Sequence, residues 1–219
     1  PVTIKAIDAE TAFDLYTTYG FPIELTEEIA AERGLIVERK GFDALMEEHR
    51  QKSRVGAEQK FKGGLADHSE KVVQYHTATH LMLAGLRQVL GEHVHQAGSN
   101  ITGERLRYDF THPDKLTPEQ IKAVEDYVNE AIRTGGTVTI ELTQKAKAQA
   151  DKTIEASFWD RYPDEVKVYT MTGNDGKVYS RELCGGPHVT DLNSLKGTFK
   201  ITKEESSAAG IRRIKAVLQ

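Results

Sequence analysis

Two short runs in this 219-residue chain carry side chains suited to metal chemistry: His76-Thr-Ala-Thr-His80 and Cys184-Gly-Gly-Pro-His188. On a helix, a spacing of four puts both imidazoles on one face, about 5–6 Å apart at Cβ, as two ligands of one ion require. The same spacing also describes a packed or solvated histidine pair. Cys184 and His188 are four apart in a glycine–proline turn, where two donors can converge, or where Cys184 is simply a small core residue. Together the runs supply His, His, Cys and His, a set that suits tetrahedral Zn2+. His49, His68, His93, His95 and His112 show no comparable pairing. A zincin protease is excluded on chemistry: it needs a glutamate after the first histidine as general base, and here that position is Thr77.

The elements that must carry these residues follow from periodicity. Residues 1–60 read as helical, with helices over about 8–19, 23–33 and 41–60, the first two stopped by Gly20 and Gly34. Phe42, Leu45, Met46 and His49 share one face of the third, and Tyr16, Tyr19 and Phe21 are expected in the core rather than stacked on a base. FKGGLADHS (61–69) is the expected boundary. Ser69 then caps a long helix over about 70–90 that holds both His76 and His80. Two strands follow, joined near residues 102–104. Thr117-Pro-Glu-Gln120 is a capping box with proline at the first helical position, and its helix runs to about Thr134. TVTIEL is a strand, residues 144–159 are expected to be helical, VKVYTM and KVYSREL form a hairpin around GNDG, and GTFKIT and IRRIKAVL are two more strands. The irregular alternation implies an α+β fold with a largely antiparallel sheet.

Composition narrows the class. The chain is 38% hydrophobic and 28% charged, and no apolar run approaches the roughly 18 residues of a membrane span, so an integral membrane protein is not expected. Cys184 is the single cysteine, which excludes an internal disulfide and implies a reduced, cytoplasmic setting. A net charge of −4 argues against nonspecific coating of nucleic acid. The last 24 residues nevertheless hold six cations against two carboxylates, net +4, with Arg212 and Arg213 among them as candidates for RNA phosphates. Arg105 and Arg107 are weaker candidates.

HTATHLMLAGLRQVLGEHVHQAGSNITGERLRYDF, ELCGGPHV and AAGIRRIKAV, in that order and spacing, resemble the editing domain of the alanyl-tRNA synthetase family and its free-standing deacylase relatives. AFDLYTTYGFPIELTEEIAAERGL resembles the end of the helical tRNA-recognition region that precedes editing in that family. The resemblance implies a tRNA-recognition segment over 1–60 and an editing domain over 69–219, within a longer synthetase chain. It implies zinc held by His76, His80, Cys184 and His188, and hydrolysis of serine or glycine from the acceptor end of alanine tRNA. Thr79 and Gln96 match positions of the family's editing pocket and are expected, with Cys184, to serve the reaction. Four protein ligands would make a closed site in which the metal positions substrate; a loose one would leave room to activate water. No adenylate-forming region is recognisable, so aminoacylation by this chain alone is not expected.

Two departures from the family pattern stand out. Pro187 occupies a position that is usually threonine, as in the related threonyl-type editing domains. Only FKGGLADHSEKVVQY separates the helical region from His76, where the family commonly has a β-barrel segment, so that subdomain is expected to be absent. A threonyl-type deacylase and a non-catalytic, zinc-stabilised tRNA-binding module are the alternatives.

Overall fold

The computed structural model describes residues 6–60 and 64–219, with side chains except at 50–60 and 161. The chain divides into two compact units, Pro1–Lys60 and Phe61–Gln219. Residues 61–63, the start of the expected boundary, lie outside the described residues.

In the first unit, α1 (Ala9–Tyr19) begins at Asp8, whose carboxylate accepts the Thr11 N–H at 2.7 Å, and ends at Gly20 in the left-handed conformation. α2 (Ile23–Glu32) and α3 (Arg39–Lys60) complete the helical reading. A two-residue parallel pair, β1 (Ala6–Ile7) with β2 (Ile36–Val37), is an addition that such short segments do not announce. Ala12, Ile23 and Phe42 form the core, with Ile7, Phe13, Val37 and Met46 against it. Tyr16 packs edge-on against Phe42, but Tyr19, expected in the core, is 77% exposed beside the glycine that ends its helix.

The second unit is organised on α4 (Glu70–Leu90), in which every residue from Gln74 to Leu83 is buried. A helix enclosed on all sides is the centre of its domain. Ser69 stands at its N-cap without a side-chain cap bond; Asp67 accepts the Ser69 N–H instead. α5 (Pro118–Thr134) carries the expected capping box between Thr117 and Gln120. It crosses α4 closely at Gly85, where a Cβ would meet the Tyr127 ring at 3.0 Å.

A four-stranded antiparallel sheet has the order β3 (Gln96–Ile101), β4 (Leu106–Thr111), β9 (Ile211–Leu218), β8 (Phe199–Ala208). Alternation sends Leu106, Tyr108, Phe110, Ile214, Ala216 and Leu218 into one core with α4 and α5, and Arg107, Asp109, Arg213 and Lys215 to the opposite face. A three-stranded antiparallel sheet runs β5 (Gly136–Gln144), β6 (Glu165–Gly173), β7 (Val178–Leu183). The helix expected over 144–159 is shorter: α6 spans Lys145–Ala150, and Asp151 then accepts both the N–H and the hydroxyl of Thr153 in a local turn that competes with helix continuation. The architecture is α+β with antiparallel sheets, apart from the β1–β2 pair.

Candidate metal centre

α4 presents His76 and His80 one turn apart, and the loop leaving β7 brings Cys184 and His188 to the same place. One donor atom from each of the four lies within 4.8 Å of all the others. His188 stacks on His76 with ring centres 4.1 Å apart and is backed by Tyr169 at 4.5 Å, while Cys184 Sγ is 3.5 Å from His76 Nε2. Gly186 is required by this closeness, since a Cβ there would sit 2.6 Å from His76 Cε1.

The outward nitrogen of each histidine is held by a different partner. His76 Nδ1 donates to the Pro187 carbonyl at 2.8 Å. His80 Nδ1 contacts the buried Glu182 carboxylate. His188 Nδ1 lies 3.3 Å from Thr77 Oγ1, which spends its own proton on the Val73 carbonyl and accepts the Val189 N–H. The His76 and His188 rings are thus set with a hydrogen on Nδ1 and Nε2 turned inward, His80 Nδ1 makes an ion-pair contact with Glu182, and among the described residues His188 Nε2 is buried with no partner. Fixing a ligand's tautomer through its other nitrogen is what metal-binding histidines generally show.

The charges agree with a cation site. Burial pushes the Cys184 thiol up, but the His80 charge and the close approach of the His188 and His76 rings overcome it and bring it down to about 2. Burial alone would lower His80, yet Glu182 and the Cys184 thiolate raise it to about 10. Burial, then the neighbouring His80 charge, depresses His188 to about 3. Burial raises Glu182 against the opposing pull of His80. The group is therefore a thiolate beside one imidazolium, with the Glu182 carboxyl behind His80. A divalent ion replacing the His80 Nε2 proton would meet the thiolate charge directly. Soft thiolate with imidazole is a donor set that suits zinc, so the residues fit that ion.

The other sequence candidates are placed differently. Thr79 is buried and its hydroxyl donates to the Tyr75 carbonyl at 2.8 Å. The Gln96 amide donates to Ser99 Oγ at 3.2 Å, and its backbone N–H to Ser157. Arg212 is buried against Glu204, with Nε 2.5 Å from Oε1. Arg213 makes a two-pronged contact with Asp109, both bonds 2.7 Å, Arg107 lies 3.8 Å from the same carboxylate, and Arg105 donates to the Asn100 carbonyl. Glu182 and Thr77 were not singled out from sequence. Strand alternation offered a signal for the first, because Glu182 stands two residues before Cys184 and so on the same sheet face.

Comparison with known proteins identifies the family. Residues 2–109 match the family described as tRNA synthetases class II (A), and residues 166–215 match the threonyl and alanyl tRNA synthetase second additional domain. The alanine–tRNA ligase of Treponema denticola is 53% identical over 215 residues, covering 98% of this chain. The chain belongs to the alanine–tRNA ligase family. It spans 35% of the length of that relative. The Borreliella burgdorferi alanine–tRNA ligase is 48% identical over 214 residues, 98% of this chain and 35% of its own. The Fusobacterium nucleatum alanine–tRNA ligase is 32% identical over 314 aligned residues, 96% of this chain and 35% of its own. Since this chain has 219 residues, at least 95 of those positions (314 − 219) have no counterpart in it. Relative to that ligase, this chain and its Treponema and Borreliella relatives therefore share a shorter layout of the family.

Proposed function

We propose that the second unit is an editing domain that hydrolyses the ester joining serine or glycine to the terminal ribose of alanine tRNA, with zinc held by His76, His80, Cys184 and His188. The observation that carries this reading is the convergence of those four donors within 4.8 Å, in a chain that matches the alanyl and threonyl second additional domain. The need for such a site is physical. A pocket sized for alanine cannot exclude glycine, which is smaller, or strongly reject serine, which adds only a hydroxyl. A second site must inspect the product, and a polar group that pairs with the serine hydroxyl and is left bare by alanine would spare the correct ester.

When bound, zinc supplies a fixed positive centre that attracts and orients the polar end of the substrate. The chain's own residues do the rest. Glu182, Thr77 and the Pro187 carbonyl hold the three rings, and Gly186 keeps the space over His76 clear. Thr79 follows His76 by three residues and so neighbours it on α4. Its proton is committed to Tyr75, which leaves an acceptor for a serine hydroxyl. Gln96 serves as the second polar contact and Cys184 as the anionic ligand.

The outer face of the four-stranded sheet carries Arg107, Arg213, Lys215 and Lys203 against Asp109 and Glu205. We assign tRNA phosphates to this face, with Arg105 at its margin; Arg212 faces the other way. Among the described residues no helix is long and apolar enough to cross a membrane. We assign the protein to the cytoplasm because that is where its proposed substrate, charged tRNA, is made and used. Similarity to alanine–tRNA ligases over almost the whole chain favours alanine tRNA over threonine tRNA.

The test is to incubate the purified, zinc-assayed chain with seryl- and alanyl-loaded alanine tRNA. Loss of serine but not alanine, abolished by Cys184→Ala or by chelation, is the expected result. Stability of both esters with zinc bound would reduce the centre to a structural role and overturn the deacylase reading.

A further inference from the structure

The three-stranded sheet places an uncovered apolar ledge in line with the metal centre. Register pairs Leu142 with Lys167 and Ile140 with Tyr169 across β5 and β6, and Tyr169 with Glu182 across β6 and β7. The Cys184 N–H donates to the Lys167 carbonyl, which extends the same register one step. Directly opposed residues share a face, so two rows run across it: Leu142, Lys167, Cys184, and Ile140, Tyr169, Glu182. At the β7 end these rows are the metal centre and its buried carboxylate. At the β5 end Ile140 is 57% and Leu142 60% exposed. Val178, the remaining exposed large apolar residue described in this unit, stands opposite Thr172, outside these rows. Lys167 is exposed between ledge and centre, and no described ion pair engages it.

We propose that Ile140 and Leu142 seat the nucleobase of the RNA's terminal nucleotide, with Lys167 meeting the phosphate that joins it to the chain; this rests on the deacylase reading of the same centre. The ester to be cut sits on the ribose, so a ribose held at the centre must project its base to one side. Two interstrand spacings, about 10 Å, separate the centre from the ledge, roughly the length of a nucleoside. A base is an apolar plate with polar edges, and apolar side chains hold it by its face without reading its identity. The lone cation between the rows complements the one negative charge that such a nucleotide must bring.

The experiment is a binding titration of the intact chain with an RNA hairpin ending in 2-aminopurine, its terminal hydroxyls free, beside the same hairpin with an abasic terminal nucleotide. Stacking a base is worth about ten-fold in affinity. The expected result is that wild type quenches the 2-aminopurine and binds the intact end about ten-fold more tightly than the abasic end, whereas the Ile140→Thr/Leu142→Thr variant shows neither the quench nor the preference. Threonine keeps strand propensity at these exposed positions, and matching thermal melts check the fold. Equal affinity of wild type for both hairpins overturns the proposal, as does a variant that keeps the full preference. Sedimentation is measured on both proteins, and a wild-type dimer that the variant abolishes, without a base-dependent signal, makes the ledge a contact between copies and also overturns it. A base-dependent quench without ester hydrolysis would sink the deacylase reading and keep the ledge; hydrolysis without any base preference would do the reverse.

Discussion

Thr77 and His188 are 111 residues apart in sequence, yet Oγ1 of one lies 3.3 Å from Nδ1 of the other. Thr77 is fully buried inside α4, and its hydroxyl joins three segments: it donates to Val73 in its own helix and accepts from His188 and from the Val189 N–H. The helix that supplies His76 and His80 therefore also sets the ring that arrives from the loop. Thr79, two residues on, spends its hydroxyl on the helix backbone and holds none of the three imidazoles.

Thr77→Val keeps the side-chain volume and removes the hydroxyl. It should weaken zinc binding by about 10–100-fold, the usual cost of losing the group behind a histidine ligand. Leaving the Val189 N–H and His188 Nδ1 unpaired should also cost about 1–3 kcal/mol of stability. Competition with a chromogenic chelator reads the first effect and urea unfolding the second. Unchanged zinc affinity would mean that packing against Tyr169 and His76 is enough to orient His188.

The Pro187→Thr substitution, which restores the residue usual in the family, should leave zinc stoichiometry at one per chain and affinity within about three-fold. What His76 uses at this position is the backbone carbonyl, and threonine supplies the same group. Gly186→Ala is the contrasting change. Its Cβ would press on His76 Cε1 at 2.6 Å, so zinc content measured by atomic absorption should fall sharply while the β5–β7 sheet remains folded.

Acid should weaken the chelator-treated chain through this same cluster. Cys184 lies at about 2 against an ordinary 9.0, and His188 at about 3 against 6.5. Groups whose folded value is depressed stabilise the fold above their unfolded value and lose that contribution as pH falls toward the folded one. His80, raised to about 10, does the opposite: its contribution is complete below 6.5 and fades as pH rises toward 10. Between 6.5 and 9 the changes at Cys184 and His80 oppose each other; between 6.5 and 3 Cys184 and His188 both lose their contributions, against the smaller gain of Glu182, whose carboxyl burial raises above its ordinary value. The urea midpoint should therefore change little from pH 7 to 8.5 and drop steeply from 6.5 to 4, with a shallower acid limb in Cys184→Ser/His188→Asn. An acid limb identical in that variant would assign the effect to other groups.

Much of this arrangement could be read from residue types. The four candidate ligands stand in two runs of spacing four, the Thr117–Gln120 capping box marks α5 to the residue, and the turn at Asn174–Gly176 separates β6 from β7. What holds the candidate ligands was harder to read, because Thr77–His188 and His76–Pro187 each bridge 111 residues and no local pattern encodes such pairing. The segment after Ala150 misled for the opposite reason. Its composition tolerates a helix, but the Asp151–Thr153 turn and the pairing of Glu155 with β7 outweigh weak propensity. Counting basic residues near the C-terminus likewise could not separate Arg212 from Arg213; only strand parity does.

That parity yields the last prediction. On β9, Arg213 points to the outer sheet face with Arg107 and Lys215, while Arg212 points inward against Glu204, a carboxylate 3% exposed whose second oxygen has no partner among the described residues. Removing the inner arginine strands a buried charge, so Arg212→Gln should cost about 3–5 kcal/mol in urea unfolding. Arg213→Gln loses a partly exposed pair with Asp109 and should cost about 1 kcal/mol or less. RNA binding should sort them in the opposite order. If the outer face meets phosphates, Arg213→Gln lowers affinity across sequences and flattens the dependence of log K on log salt by about one unit, and Arg107→Gln does the same. Arg212→Gln, measured where it remains folded, should leave that slope unchanged. A reduced slope for Arg212→Gln alone would show that the inner pair opens to RNA and would reverse the assignment of the two arginines.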